Sequence, residues 1–352
     1  MPLKRKINSA SHFTIDPHLN MKSLILAALI LLFLLPSATL AQQTEGDPYL
    51  SLYRTGAYDK AVIVLKRETK KNASDGDAWY YLGLAYLKIG KEKDAVKALE
   101  KAAAIKSNVA EAHASLAYAY MLRNDPKAAG AANTALKLSS KNPEAHYVLG
   151  VISIRSGGYS SAYERAKKAI EFSPTLAPAY LLKSQALISS FAIQSGTVIR
   201  PKSERSEMLL EAVGDLEKYI TLQPNSSEIE FHRGNLESLK FFSEYYGRPE
   251  NQAMLNLNEE PDPSKTPLKI SFKPPATYTD RARSANVSGI VRILVGFSAD
   301  GTIKHLRVVK SLGYGLDEQS IKAARQMRFV PPTKDGIPVS AVRMLEYSFT
   351  IY

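Results

Sequence analysis

The chain has 352 residues, with 46 Lys or Arg against 34 Asp or Glu, a net charge of +12; at about 150 residues per domain this is room for about two domains. Apolar residues make up 45%, enough for packed cores, so a wholly disordered chain is excluded. There is no cysteine, which excludes disulfides, thiolate catalysis, zinc–thiolate sites, iron–sulfur clusters and an acylated lipoprotein cysteine.

The N-terminus reads as an address. Lys22 is followed by an unbroken apolar run, Leu24–Leu35, then by Pro36 and small residues up to Ala41. This is the pattern of a secretory signal cleaved after Ala41. The run is short for a spanning helix, which needs about 20 apolar residues, so retention as an inner-membrane anchor is the second reading. Either way the bulk of the chain crosses a membrane, and the expected compartment is the periplasm. Nucleic acid is not an expected partner.

From residue 42 to 246 the sequence repeats itself. Small residues recur at Gly83, Ala117, Gly150 and Ser184, at spacings of 34, 33 and 34. A second column, Ala61, Ala95, Ala128 and Ala162, keeps the same spacings, and a ring (Trp79, His113, His146) stands ahead of each Leu-small pair. A fixed period of this size means stacked units. Apolar spacing within a unit is helical: a first helix over about 77–89, a turn at Gly90-Lys91, and a second helix over about 92–104. Gly83 and Ala95 sit where the two helices cross and must be small. The fourth unit starts near Tyr180, but its second-helix columns, Ala212, Leu216 and Tyr219, come about 16 residues late, which places an insertion at about 190–206. A last helix, about 226–246, caps the stack.

Trp79, Leu82, Gly83 and Tyr86, followed by Ala95, Leu99 and Ala102, carry a resemblance to the tetratricopeptide repeat. The resemblance implies a curved all-α solenoid whose concave face, lined by the first helices, binds a protein or peptide segment. It places Tyr80, Leu84, Tyr118, Tyr147 and Val151 on that face. Two readings stay open for these five: an apolar, aromatic peptide site, or ordinary packing against neighbouring helices. Members that bind C-terminal carboxylates use Lys and Asn where this chain has Tyr80 and Leu84, so that mode is not expected. His113 and His146 read as packing residues rather than metal ligands, since nothing chelating repeats beside them.

Residues 247–267, with Gly247, Pro249, Pro261, Pro263 and Pro267, read as a semi-extended linker. A compact α+β pattern follows over 268–352. Tyr278–Asn286 starts as a short helix; Ile290–Phe297 and Ile303–Lys310 read as strands joined by an Asp300-Gly301 hairpin turn. Asp317 is placed as the cap of a helix running to about Met327, and Val339–Tyr352 as a third strand. The expected fold class is therefore multidomain: an all-α solenoid, then a small α+β domain with a three-stranded antiparallel sheet. The segment 264–352 carries fourteen basic and six acidic groups, 14 − 6 = +8. That suggests an anionic neighbour, or a basic face that keeps the protein soluble.

This segment resembles the C-terminal domain of the TonB energy-transducer family. The features, in order, are Tyr278, Arg281 and Ala282 before Gly289 and Val291; Asp300-Gly301; Ser311 to Gly313 before Leu316-Asp317; Ala323, Met327, Phe329 and Pro331; Asp335-Gly336; and Tyr347 with Phe349. The family has Tyr-Pro where this chain has Tyr278-Thr279. The resemblance implies that the domain grips the N-terminal peptide of an outer-membrane receptor, which adds as a strand beside the sheet. The implied pairing edge is Val342, Arg343, Met344, Leu345, Glu346, Tyr347, Ser348 and Phe349, with Arg343 and Glu346 as guards of an exposed edge. If the N-terminal segment stays in the membrane, an inner-membrane proton-channel complex is a further implied partner. Energised members carry a histidine in that helix and a long proline-rich span; here no histidine lies between residues 21 and 41, and a solenoid replaces the span.

No Gly-x-Ser-x-Gly elbow, His-Glu-x-x-His pair or phosphate-binding glycine loop occurs, so neither catalysis nor a cofactor or metal is expected. Glu259 and Glu260, in the linker, read as solvated charge.

Overall fold

The computed structural model describes residues 48–194, 202–248 and 264–351. The expected signal or anchor, the centre of the expected insertion and most of the linker lie outside the described residues.

Helices come in antiparallel pairs: α1 (Pro48–Arg54) with α2 (Tyr58–Lys71), α3 (Gly76–Lys88) with α4 (Glu92–Ile105), α5 (Ala110–Leu122) with α6 (Lys127–Leu138), α7 (Pro143–Arg155) with α8 (Tyr159–Phe172), and α9 (Ala177–Gln194) with α10 (Lys202–Leu222). A single helix, α11 (Ile229–Gly247), follows. The turns inside the pairs obey the same period as the small residues. Gly56, Gly90, Asn124 and Gly157 have φ of 78°, 72°, 55° and 80°, the left-handed conformation that reverses a chain between helices. Gly83 lies directly against Leu99 of α4, so any Cβ there collides with it. In the fourth unit Ser184 takes the place of that glycine and donates to the carbonyl of Ala212, 2.9 Å away. Ser184 and Ala212 are 28 residues apart against 12 for Gly83 and Ala95, and the difference, 28 − 12 = 16, is the expected displacement.

The ring column has a common job. Trp79 Nε1 donates to the Ala73 carbonyl at 3.0 Å, His113 Nε2 lies 2.9 Å from the Ser107 carbonyl, His146 Nε2 lies 2.9 Å from that of Ser140, and the Tyr180 hydroxyl donates to that of Pro174 at 3.1 Å. Each ring satisfies an end carbonyl in the turn six residues back, which orients one repeat on the last. That is the packing role expected for the two histidines.

The C-terminal part holds α12 (Asp280–Ser284), β3 (Gly289–Phe297), β4 (Ile303–Lys310), α13 (Leu316–Arg325) and β8 (Ala341–Phe349). The sheet is antiparallel in the order β4-β3-β8. Thr279 begins α12 by accepting from Ala282 N at 3.1 Å, which is how this chain starts a helix without the family's proline. Asp317 is not the cap of α13. Gly315, at φ 82°, is the residue before the helix, and the Asp317 carboxylate turns back to accept from Leu312 N at 3.0 Å and Gly313 N at 3.2 Å. Short strands brace the domain: β1 (Lys265–Thr266) pairs with β6 (Thr333–Lys334), β2 (Lys269–Phe272) with β5 (Arg328–Val330), and β6 with β7 (Ile337–Pro338). Lys265–Thr266, inside the expected linker, is thus already part of the sheet structure.

The sheet is covered on both faces. Val291, Ile293, Val295, Phe297, Leu345, Tyr347 and Phe349 pack against Leu316, Ala323, Ala324 and Met327 on and beside α13. Leu294, Val309 and Val342, on the opposite face, share one core with Leu187, Ile188 and Phe191 of α9 and Leu236, Leu239 and Phe242 of α11. Phe241 stacks on His305 with ring centroids 4.2 Å apart, and a Cβ on Gly296 would come within 2.6 Å of the Phe241 ring. The solenoid and the C-terminal domain thus share one apolar core.

Candidate functional site: an edge strand and a tyrosine groove

β8 pairs with β3 over its whole length, from Gly289↔Phe349 to Phe297↔Ala341. Among the described residues no strand pairs with its other side. Along an antiparallel edge strand the backbone groups alternate between the partner and open space. The open side is identified by its contacts. The Glu346 carbonyl accepts from Lys273 Nζ at 2.7 Å, and the Val342 carbonyl from Arg343 Nη1 at 2.9 Å. Val342, Met344, Glu346 and Ser348 therefore present N–H and C=O outward.

Of the eight expected edge residues, Leu345, Tyr347 and Phe349 have their side chains in the α13 core, while Val342 and Met344 face the solenoid. Arg343, Glu346 and Ser348 are exposed. Glu346 is tied across the strands to Arg292, whose Nε donates to it at 2.6 Å. The strand offers a partner main-chain groups rather than side chains. Two of its outward carbonyls already hold cationic side chains. Lys273 also lies 4.8 Å from the Tyr347 ring centroid, so a cation–π contact holds it over the strand.

The concave face is built by the repeat register. Tyr80 and Tyr147 stand in one column; Leu84, Tyr118 and Val151 stand in the next. Leu84 is fully enclosed in the core of the first repeats. Tyr118 and Tyr147 stack at 6.4 Å, Val151 is buried beside them, and Tyr80 lies with its hydroxyl 3.4 Å from Ser115 Oγ. Ser115 in turn donates to Glu144 Oε2 at 3.5 Å. Burial first, and the neighbouring Glu111 second, push the Glu144 carboxyl up to about 8, against the Ser115 bond and the Lys88 charge. Burial likewise pushes the Lys88 ammonium down to about 8. The hydroxyls of Tyr80 and Tyr118 are raised well above the usual tyrosine value, again chiefly by burial, and remain donors. Leu84, Tyr118, Tyr147 and Val151 are buried and Tyr80 is half-buried, so these five residues pack chiefly against neighbouring helices, with the Glu144 carboxyl enclosed among them.

Residues 274–351 match the family of the Gram-negative bacterial TonB protein C-terminal, and residues 50–110 match the tetratricopeptide repeat. The chain joins tetratricopeptide repeats to a TonB C-terminal domain. Among solved structures it is similar to MamA, at 25% identity and TM-score 0.38 over 51% of this chain and 95% of that one. It is also similar to TTC0263, a tetratricopeptide-repeat protein of Thermus thermophilus, at 19% identity and TM-score 0.41 over 55% of this chain and 95% of that one. A third is pilF of Pseudomonas aeruginosa, at 23% identity and TM-score 0.36 over 51% of this chain and 75% of that one. No curated protein matches the chain. Both kinds of domain point to protein–protein interaction rather than to nucleic acid.

Three further residues belong to the site. Gln185 stands 34 residues after Val151, in the column of Leu84, Tyr118 and Val151, and the repeat register alone identifies it. Glu144 also stands in a column, 33 residues after Glu111 and 67 after Asp77. Arg307, from the TonB domain, reaches into the solenoid: its Nη2 donates to Gln185 Oε1 at 3.1 Å. No signal local to residue 307 announces this. Among the described residues no group of three or more His, Cys, Asp or Glu could hold a metal ion, and no helix is long and apolar enough to cross a membrane.

Proposed function

We propose that this chain is a TonB-like periplasmic protein that engages outer-membrane transporters by strand addition at β8, while the solenoid groove recruits a second protein partner. It acts by binding and not by catalysis. The observation that carries this reading is the side of β8 on which no described strand pairs, with the main-chain groups of Val342, Met344, Glu346 and Ser348 turned outward on a sheet packed on both faces. Main-chain bonds along such an edge give affinity without demanding one side-chain sequence. The apolar run at Leu24–Leu35 supports export. The test is a titration of the full-length protein with synthetic N-terminal peptides of outer-membrane receptors, followed by backbone amide shifts. Shifts centred on β8 support strand addition; absence of binding by every peptide contradicts it.

One observation favours a second reading, a periplasmic scaffold without energy coupling. The TonB domain is packed onto α9 and α11 by a shared apolar core, so solenoid and domain move together. In that reading both faces bind envelope proteins and no inner-membrane proton channel is engaged. Cells lacking the protein then keep proton-driven uptake, whereas under the first reading they lose it for at least one ligand.

A further inference from the structure

Arg307 is 8% exposed, and its Nε–H is buried with no hydrogen-bond partner among the described residues. Its bond to Gln185 is to a neutral amide oxygen. Among the described residues no carboxylate pairs with it, and burial alone pushes the guanidinium down to about 10. An uncompensated buried charge is costly, and proteins relieve it with a counter-ion. Gln185 belongs to the concave column, and it donates to Ser189 Oγ at 3.1 Å, so the groove ends in a polar corner made by both domains. One repeat earlier, Arg155 is exposed; it donates to Met121 O at 3.0 Å and Asn124 Oδ1 at 2.9 Å, again neutral oxygens, and it lies near the Tyr118–Tyr147 stack. Both guanidiniums therefore hold neutral oxygens, and among the described residues neither is paired with a carboxylate.

We propose that the concave side of the solenoid takes an extended peptide whose carboxylate docks on Arg307, in the place now taken by the Gln185 amide oxygen. This rests on the reading of the groove as a partner site and names its ligand chemistry. The TonB domain supplies the guanidinium at the end of the concave column, where the repeat register has the neutral Gln185. A guanidinium and a carboxylate make paired, charge-assisted hydrogen bonds, which fixes the peptide's register and its direction. The carboxylate can be a chain terminus or an acidic side chain.

The experiment is a library of decapeptides titrated into the full-length protein. Each sequence is made as a C-terminal amide without acidic residues, as the free carboxylate, and as the amide with one central glutamate. Wild type is expected to bind carboxylate forms roughly tenfold tighter than the plain amide. The preference should fall below about threefold in Arg307→Met and be kept in part by Arg307→Lys. The form that wins tells a terminus from a side chain. Hydrogen exchange of β4 and α11 shows whether Arg307→Met keeps the domains docked; if it does not, the Arg307→Lys and wild-type comparison decides. Equal binding of all three forms overturns the carboxylate site and leaves the groove as a peptide site. Binding of none overturns both, and strand addition at β8 is scored separately, on residues that Arg307→Met does not touch.

Discussion

Lys273 Nζ lies 2.7 Å from the carbonyl oxygen of Glu346, on the side of β8 that faces away from β3. The residue just past β2 thus occupies a main-chain acceptor that an added strand needs. Removing it should help a partner. Lys273→Ala is expected to raise the affinity for a receptor N-terminal peptide about two- to fivefold, the scale of one exposed hydrogen bond. Calorimetric titration checks this, and an unchanged or weaker affinity contradicts the guard.

Ser348 gives the opposite test. Its N–H points outward, so proline there costs no bond to β3 and leaves the fold standing. Ser348→Pro is expected to weaken peptide binding at β8 by tenfold or more, with thermal unfolding shifted by only a few degrees. Binding at wild-type strength would mean that the peptide lies elsewhere.

Gly296 lies under Phe241, where an added Cβ would be 2.6 Å from the ring. Gly296→Val is expected to overpack the interface by about 1–3 kcal/mol and separate the domains without unfolding either. Small-angle scattering should show a larger radius of gyration, and hydrogen exchange should quicken in α11 and β4 but not in α13.

Glu144 supplies a pH signature. Its folded-state value is raised from 4.5 to about 8, so between those values the folded chain holds a proton that the unfolded chain has released. Stability from this group is therefore full below about 4.5 and falls as pH rises towards 8. Glu144→Gln removes that slope. The variant should match wild type in melting temperature near pH 4.5 and exceed it near pH 8, as thermal melts across that range would show.

Much of this was legible from residues alone. The columns at 33 and 34 residues place the helices, their crossings and the displaced fourth repeat, because each repeat packs mainly on its neighbours. The three main strands and the turn at Asp300-Gly301 follow from alternation and a left-handed glycine. The domain contact does not follow, because Gln185 and Arg307 are 122 residues apart and nothing periodic links them. One trace of it was present. In β3, Ile293, Val295 and Phe297 fill one face, but Leu294 and the bare Gly296 lie on the other, where a sheet open to water carries polar side chains. Lys273 stays hidden for a related reason. Its place over β8 is set by the pairing of β2 with β5, which a short strand beside a proline-rich segment does not announce. Asp317 sits two residues past the cap position, which Gly315 takes with a left-handed backbone, and its carboxylate is free to hold the loop before it.

The central claim is that β8 is the partner-binding edge. The most direct measurement is amide hydrogen exchange on the full-length protein with and without saturating receptor N-terminal peptide. The account predicts new protection at the outward amides of Met344, Glu346 and Ser348, with the β3-paired amides of Leu345 and Tyr347 unchanged. Protection confined to the solenoid, or none at β8 under saturation, would contradict it.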